Sequence, residues 1–146
     1  MERATRVEEA GVSSEVVARA VSGPCREDPS GEAVVDHRPW GSFERLCHGE
    51  EVTVKIIAVD PGHRLSLQRH RLRDEYWTVL DVPLLVEVDG ALTRCEPGDK
   101  VWIPRGSTHR VSNPGEVRGR FLEIAYGTFD EDDIERLADD YARDVH

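Results

Sequence analysis

The stretch PGHRLSLQRHRLRDEYW, residues 61–77, decides how this chain is read. A Pro-Gly turn leads into an extended segment that carries three metal-ligating side chains, Gln68, His70 and Glu75. Gln68 and His70 are two residues apart, and on a β-strand such a pair projects from one side of the sheet. Glu75 follows a short break and can bring a carboxylate to the same point. A four-ligand centre then needs one further donor from elsewhere in the chain.

Outward from this stretch, turn signals alternate with short β-patterned runs, the signature of a sandwich or barrel. Val52, Val54, Ile56 and Ala58 alternate with Thr53, Lys55, Ile57 and Val59, a period of two that predicts a strand before Asp60-Pro61-Gly62. Arg64, Ser66, Gln68 and His70 share one expected face of the next strand, with Leu65 and Leu67 on the other. Further strands are expected at Tyr76 to Leu80, Lys100 to Pro104 and Arg118 to Tyr126. Leu84 to Val88 and Ala91 to Cys95 flank Asp89-Gly90, which predicts a two-residue hairpin.

The two ends read differently. Residues 1–36 are expected to be an extension and linker, with a short helix from Ser13-Ser14-Glu15 through Val21 stopped at Gly23-Pro24; residues 37–146 form the domain. At the other end Asp130 can cap a helix whose first turn holds Glu131, Asp132 and Asp133, with Ile134, Leu137 and Tyr141 on one stripe.

Bulk properties narrow the partners. A chain of 146 residues with formal charge −10 lacks the basic face that nucleic acid demands, and no apolar run is long enough to span a bilayer. The N-terminus lacks the apolar core of a signal peptide, so a cytoplasmic protein is expected. Cys25, Cys47 and Cys95 are scattered and odd in number, which reads as reduced thiols.

The fourth donor is found in Gly98-Asp-Lys-Val-Trp-Ile-Pro104-Arg-Gly106-Ser-Thr-His109-Arg-Val-Ser-Asn113. This segment resembles the second cupin motif, G(x)5PxG(x)2H(x)3N, at every defined position. Gly62 through Glu75 resembles the first motif, with Gln68 in place of its first histidine and Val82 in place of its closing glycine. The resemblance implies an all-β cupin, a double-stranded β-helix or jelly-roll barrel, here with a C-terminal α-helix. It also implies a divalent metal held by Gln68, His70, Glu75 and His109: zinc first, with manganese, cobalt, iron or nickel as alternatives.

Gln68, His70, Arg73, Glu75 and Trp77 match the QxHxxRxExW core of the cupin domain of type II mannose-6-phosphate isomerases. Arg38-Pro39-Trp40-Gly41, Asn113-Pro114-Gly115 and the run from Glu131 to Arg143 extend the likeness, which covers Arg38 to Arg143. Members are often fused to a sugar-nucleotide pyrophosphorylase, so this chain would be the isomerase half standing alone. It departs from the family at Arg71, Leu72, Tyr76 and His63, and the first three are expected on the pocket rim.

The resemblance implies an aldose–ketose isomerase that interconverts mannose 6-phosphate and fructose 6-phosphate. The alternatives are an isomerase of another sugar or sugar phosphate, or a non-catalytic sugar-binding cupin. Such a reaction moves a proton between neighbouring carbons, and a metal on the sugar oxygens acidifies that proton. Arg73 is the expected catalytic side chain and, with Arg64 and Ser66, a substrate-binding one; the alternative for Arg73 is an ion pair with a nearby carboxylate. Glu123 and His63 are candidate bases, and Trp77 is expected to wall the core. A sugar phosphate is the expected partner, and pairing of sheet faces predicts a homodimer.

Overall fold

The computed structural model describes residues 34–143. The expected N-terminal helix and Cys25 lie outside the described residues. The described residues form eleven strands: β1 (Val34–Arg38), β2 (Gly41–Arg45), β3 (Val52–Val59), β4 (Leu67–Arg69), β5 (Arg73–Val79), β6 (Leu84–Val88), β7 (Ala91–Cys95), β8 (Lys100–Ile103), β9 (His109–Ser112), β10 (Gly119–Gly127) and β11 (Glu135–Ala138). Two antiparallel sheets, ordered β3-β10-β5-β8 and β11-β4-β9-β6-β7, face each other as the two halves of the expected cupin barrel. β1 and β2 form a separate hairpin that turns at Pro39-Trp40. No helix among the described residues is long and apolar enough to cross a membrane.

Local sequence explains the corners. Asp89 and Gly90 both take positive φ, 48° and 83°, the backbone twist that a two-residue hairpin between β6 and β7 requires. Asn113 closes the barrel by donating its side-chain amide to the carbonyls of Val59, at 2.9 Å, and Val117, at 2.8 Å.

The interior is divided. One part is an apolar core in which Trp77, Phe121, Val59, Val79 and Ile103 from the first sheet meet Leu84, Val86 and Val111 from the second. Trp77 packs on Phe121 with ring centroids 4.7 Å apart. Its other neighbour is His109, edge to face at 5.5 Å, which marks where the apolar core gives way to a polar cluster. Cys95 is buried and Cys47 half-buried, both as free thiols.

The expected C-terminal helix is absent among the described residues. Asp130 does cap, accepting from the Asp132 backbone N–H, but the cap opens only a 3-10 turn at Glu131–Asp133. The chain then extends into β11 and pairs with β4. Tertiary bonds outweigh the helical pattern at this point. The Asp133 carboxylate accepts the backbone N–H groups of Arg71 and Leu72, and Glu135 accepts two bonds from Arg69 at 2.7 and 2.8 Å.

Candidate metal centre

Three buried side chains converge inside the barrel. His70 ends the β4 segment, Glu75 lies on β5 and His109 opens β9, so both sheets contribute. His70 Nε2 lies 3.0 Å from Glu75 Oε1 and 3.1 Å from His109 Nε2. His109 Nε2 is 3.6 Å from Glu75 Oε2. A cation bound at about 2.0–2.2 Å holds neighbouring donors roughly 3.0–3.5 Å apart, so the three spacings suit a single ion. These residues form a cluster that can hold a metal.

Protonation favours the same use. His109 Nδ1 faces the Ser107 carbonyl at 3.0 Å and donates to it, leaving the Nε2 lone pair for a ligand. Burial pulls the His109 pKa down to about 4, so the ring is neutral at neutral pH. For Glu75, burial by itself would raise the carboxyl. The hydrogen bond from His70, the field of the His109 ring in the acid range where that ring is charged, and the Arg73 guanidinium outweigh it and hold Glu75 well below the ordinary carboxylate range. A neutral imidazole and an ionised carboxylate are the forms that bind metal.

Supporting residues fix these groups. Trp77 Nε1 donates to Glu75 Oε2 at 3.0 Å, and Arg73 Nε donates to Glu75 Oε1 at 3.1 Å. Arg73 also donates through Nη1 to the Asp130 carbonyl and lies with its guanidinium carbon 4.3 Å from the Phe129 ring centre. The loop before His109 is tied to β5, because fully buried Asp74 accepts the Arg105 backbone N–H at 2.7 Å and Nη2 at 2.7 Å. The Gly106 N–H donates to the His70 carbonyl at 2.7 Å, and its φ of 87° suits glycine.

The other expected residues are distributed around this cluster. Gln68 faces His109 directly across β4 and β9, so both project from the same side of that sheet. Its Oε1 accepts from the hydroxyl of buried Ser66 at 3.2 Å. Arg64 is not brought to the cluster. It is exposed, and its guanidinium forks onto Asp140 at 2.7 and 3.1 Å. The regular strand begins only at Leu67, so the alternation expected from Arg64 to His70 breaks: Leu65 packs on the core and Ser66 is buried beside it.

Tyr76 is not on the pocket rim. It alternates away from Glu75 and Trp77, and packs with Ile124 and Trp102 on the outer side of the first sheet. Arg71 and Leu72 are held by backbone bonds to Asp133. His63 stands outside the barrel, 3.0 Å from the Tyr141 hydroxyl.

Glu123 on β10 faces Trp77 on one side and Lys55 on the other. It is buried, and burial followed by the nearby Glu75 charge pushes its pKa up to about 8. Lys55 escaped the sequence reading. It shares the Ile57 and Val59 side of β3, and its ammonium sits 3.8 Å from the Phe129 ring centre. The period of two alone marked that face without saying that it points inward.

Comparison with known proteins agrees with this geometry. Residues 29–139 match the family described as mannose-6-phosphate isomerase C-terminal. The chain is 37% identical over 108 residues to a mannose-1-phosphate guanylyltransferase of Escherichia coli, covering 73% of this chain and 23% of that protein. It is 41% identical over 108 residues to the alginate biosynthesis protein AlgA of Pseudomonas aeruginosa, covering 73% and 22%. The chain therefore spans under a quarter of the length of these relatives.

Among solved structures, a cupin-superfamily sugar phosphate isomerase from Silicibacter pomeroyi superposes with TM-score 0.50 at 26% identity, over 54% of this chain and 52% of that one. The capsular polysaccharide assembling protein CapF of Staphylococcus aureus superposes with TM-score 0.53 at 19% identity, over 73% and 34%, a likeness of fold. With the two motifs, the barrel and the matched family in agreement, the chain belongs to the mannose-6-phosphate isomerase C-terminal family, on a cupin barrel.

Proposed function

We propose that this protein is a metal-dependent aldose–ketose isomerase that interconverts mannose 6-phosphate and fructose 6-phosphate. The observation that carries the proposal is the convergence of His70, Glu75 and His109 beside a second buried carboxyl, Glu123. Gln68 is the proposed fourth ligand, supported by its position opposite His109. A divalent ion at this centre, with zinc the first choice, would polarise the sugar oxygens and acidify the neighbouring C–H.

Glu123 is the proposed proton carrier between the two carbons. Its pKa is high because it is buried near the Glu75 charge, and a cation on Glu75 would relieve that repulsion and bring it toward neutral. Arg73 is the proposed catalytic cation: it already neutralises Glu75 and can steady an oxyanion on the substrate. Ser66 orients Gln68 through its hydroxyl and contributes to substrate binding in that way. Arg64 enters the proposal only at the outer edge, through its pair with Asp140.

The test combines metal analysis with turnover. Purified protein should hold about one divalent ion per chain and convert mannose 6-phosphate in a coupled assay. A chelator should abolish both. Stoichiometric metal without turnover would remove the named reaction, and the non-catalytic sugar-binding reading would then stand.

A further inference from the structure

Arg136 of β11 faces Gln68 across β4, and Gln68 in turn faces His109 across β9. Directly opposed residues in antiparallel strands project from one face, and neighbouring strands lie about 4.7–4.9 Å apart. Arg136, Gln68 and His109 thus form a row on the inner face, roughly 10 Å from end to end along the backbone.

Among the described residues the Arg136 guanidinium has no hydrogen-bond or ion-pair partner. Its Nε is buried without a hydrogen-bond acceptor, and no ion pair holds it among the described residues. This stands out in a chain with 29 acidic residues against 19 basic ones, where carboxylates are in excess. Nearby arginines are paired: Arg69 with Glu135, Arg64 with Asp140 and Arg105 with Asp74. Glu135 precedes Arg136 in sequence but faces Arg69, on the other side of the sheet.

Arginine stays charged in any protein environment, and a buried donor left without an acceptor costs free energy. Arg110 also has a buried, unpartnered Nε. Its Nη2, however, donates to the Ala138 carbonyl at 3.4 Å, and it projects from the face opposite His109. Among the described residues Arg136 is the unpaired cation in line with the His70–Glu75–His109 cluster.

We propose that Arg136 anchors the phosphate of a sugar phosphate whose sugar end reaches the His70–Glu75–His109 centre. The inference rests on the sugar-phosphate reading above and names the group that holds the ligand's charged end. A guanidinium presents a fork of donors that matches phosphate oxygens, and the row across three strands separates the two ends of the ligand. Gln68, in the middle, borders both.

Two measurements test this. In the wild-type protein, titration with inorganic phosphate should shift the Arg136 Nε–H resonance saturably in an arginine-edited nitrogen-15 NMR spectrum, with mannose 6-phosphate competing. By calorimetry, Arg136→Gln should weaken mannose 6-phosphate binding about tenfold to a hundredfold, keep its metal content, and leave unphosphorylated mannose binding unchanged. Arg136→Lys should fall between.

An unmoved Arg136 resonance, or wild-type phosphate affinity in Arg136→Gln, overturns the anchor. If Arg136→Gln does not fold, the wild-type resonance decides alone. Arg136-dependent phosphate binding in a protein without turnover supports the anchor and removes only the isomerase reading.

Discussion

Gln68 and His109 are a directly opposed pair across β4 and β9, and this pairing brings the two sequence motifs together on one face of the sheet. His70 and Glu75 enter from the same stretch as Gln68, while His109 arrives from a segment on the far side of the β6–β7 hairpin. Sheet register supplies the meeting point: opposed residues share a face, so a one-residue slip would turn the donors to solvent.

Removing His109 should therefore dismantle the centre. His109→Ala is expected to lose bound metal and all detectable isomerisation, read by elemental analysis and the coupled assay. Gln68→Ala keeps the three convergent donors and should retain metal with affinity lowered about 10- to 100-fold. Full metal occupancy in His109→Ala would show that the ion is held elsewhere.

The buried ion pair of Asp74 and Arg105 holds the loop that presents His109. Asp74 is fully buried and takes the Arg105 backbone N–H as well as its side chain. Asp74→Ala removes a charged partner of a largely buried guanidinium and is expected to cost about 3–5 kcal/mol of stability in urea denaturation. Metal affinity should fall with it, because Gly106 of the same loop is bonded to His70.

Stability of the metal-free protein should vary with pH in a direction set by two buried groups. Glu123 is raised from 4.5 to about 8, so the folded state holds its proton while the unfolded chain releases it, and stability falls as pH rises between those values. His109 is lowered from 6.5 to about 4, so its contribution is present above 6.5 and is lost as pH falls toward 4. From 6.5 to 8 Glu123 acts without opposition from His109. Chelated protein should lose stability across that window in denaturant melts, and Glu123→Gln should flatten the slope.

The outer side of β3 suits self-association. Val54 and Ile56 are 54% and 58% exposed on the edge strand of the first sheet, next to a face that also carries Leu122 and Ile124. A homodimer through this face is expected. Ile56→Asp should shift the species to monomer in sedimentation analysis while leaving metal content intact. A wild-type monomer at working concentration would remove this expectation.

Local sequence determined much of this protein. The Pro61-Gly62 turn, the Asp89-Gly90 hairpin and the period of two on β3 depend on backbone preferences that each segment carries within itself. The spacing of Gln68 and His70 pointed to one side of a strand, since residues two apart share a side, and the resemblance to the cupin motifs added Glu75 and His109. Tertiary structure decided what local preference could not. The stripe of Ile134, Leu137 and Tyr141 suited a helix, yet the open edge of β4 and the bonds of Asp133 and Glu135 drew residues 135–138 into β11. Tyr76 faces outward because β5 alternates strictly, and Arg64 is held away because the strand breaks before Leu67. Arg136 joined the row with Gln68 and His109 only through that added strand, a contact between distant segments that no local pattern encodes.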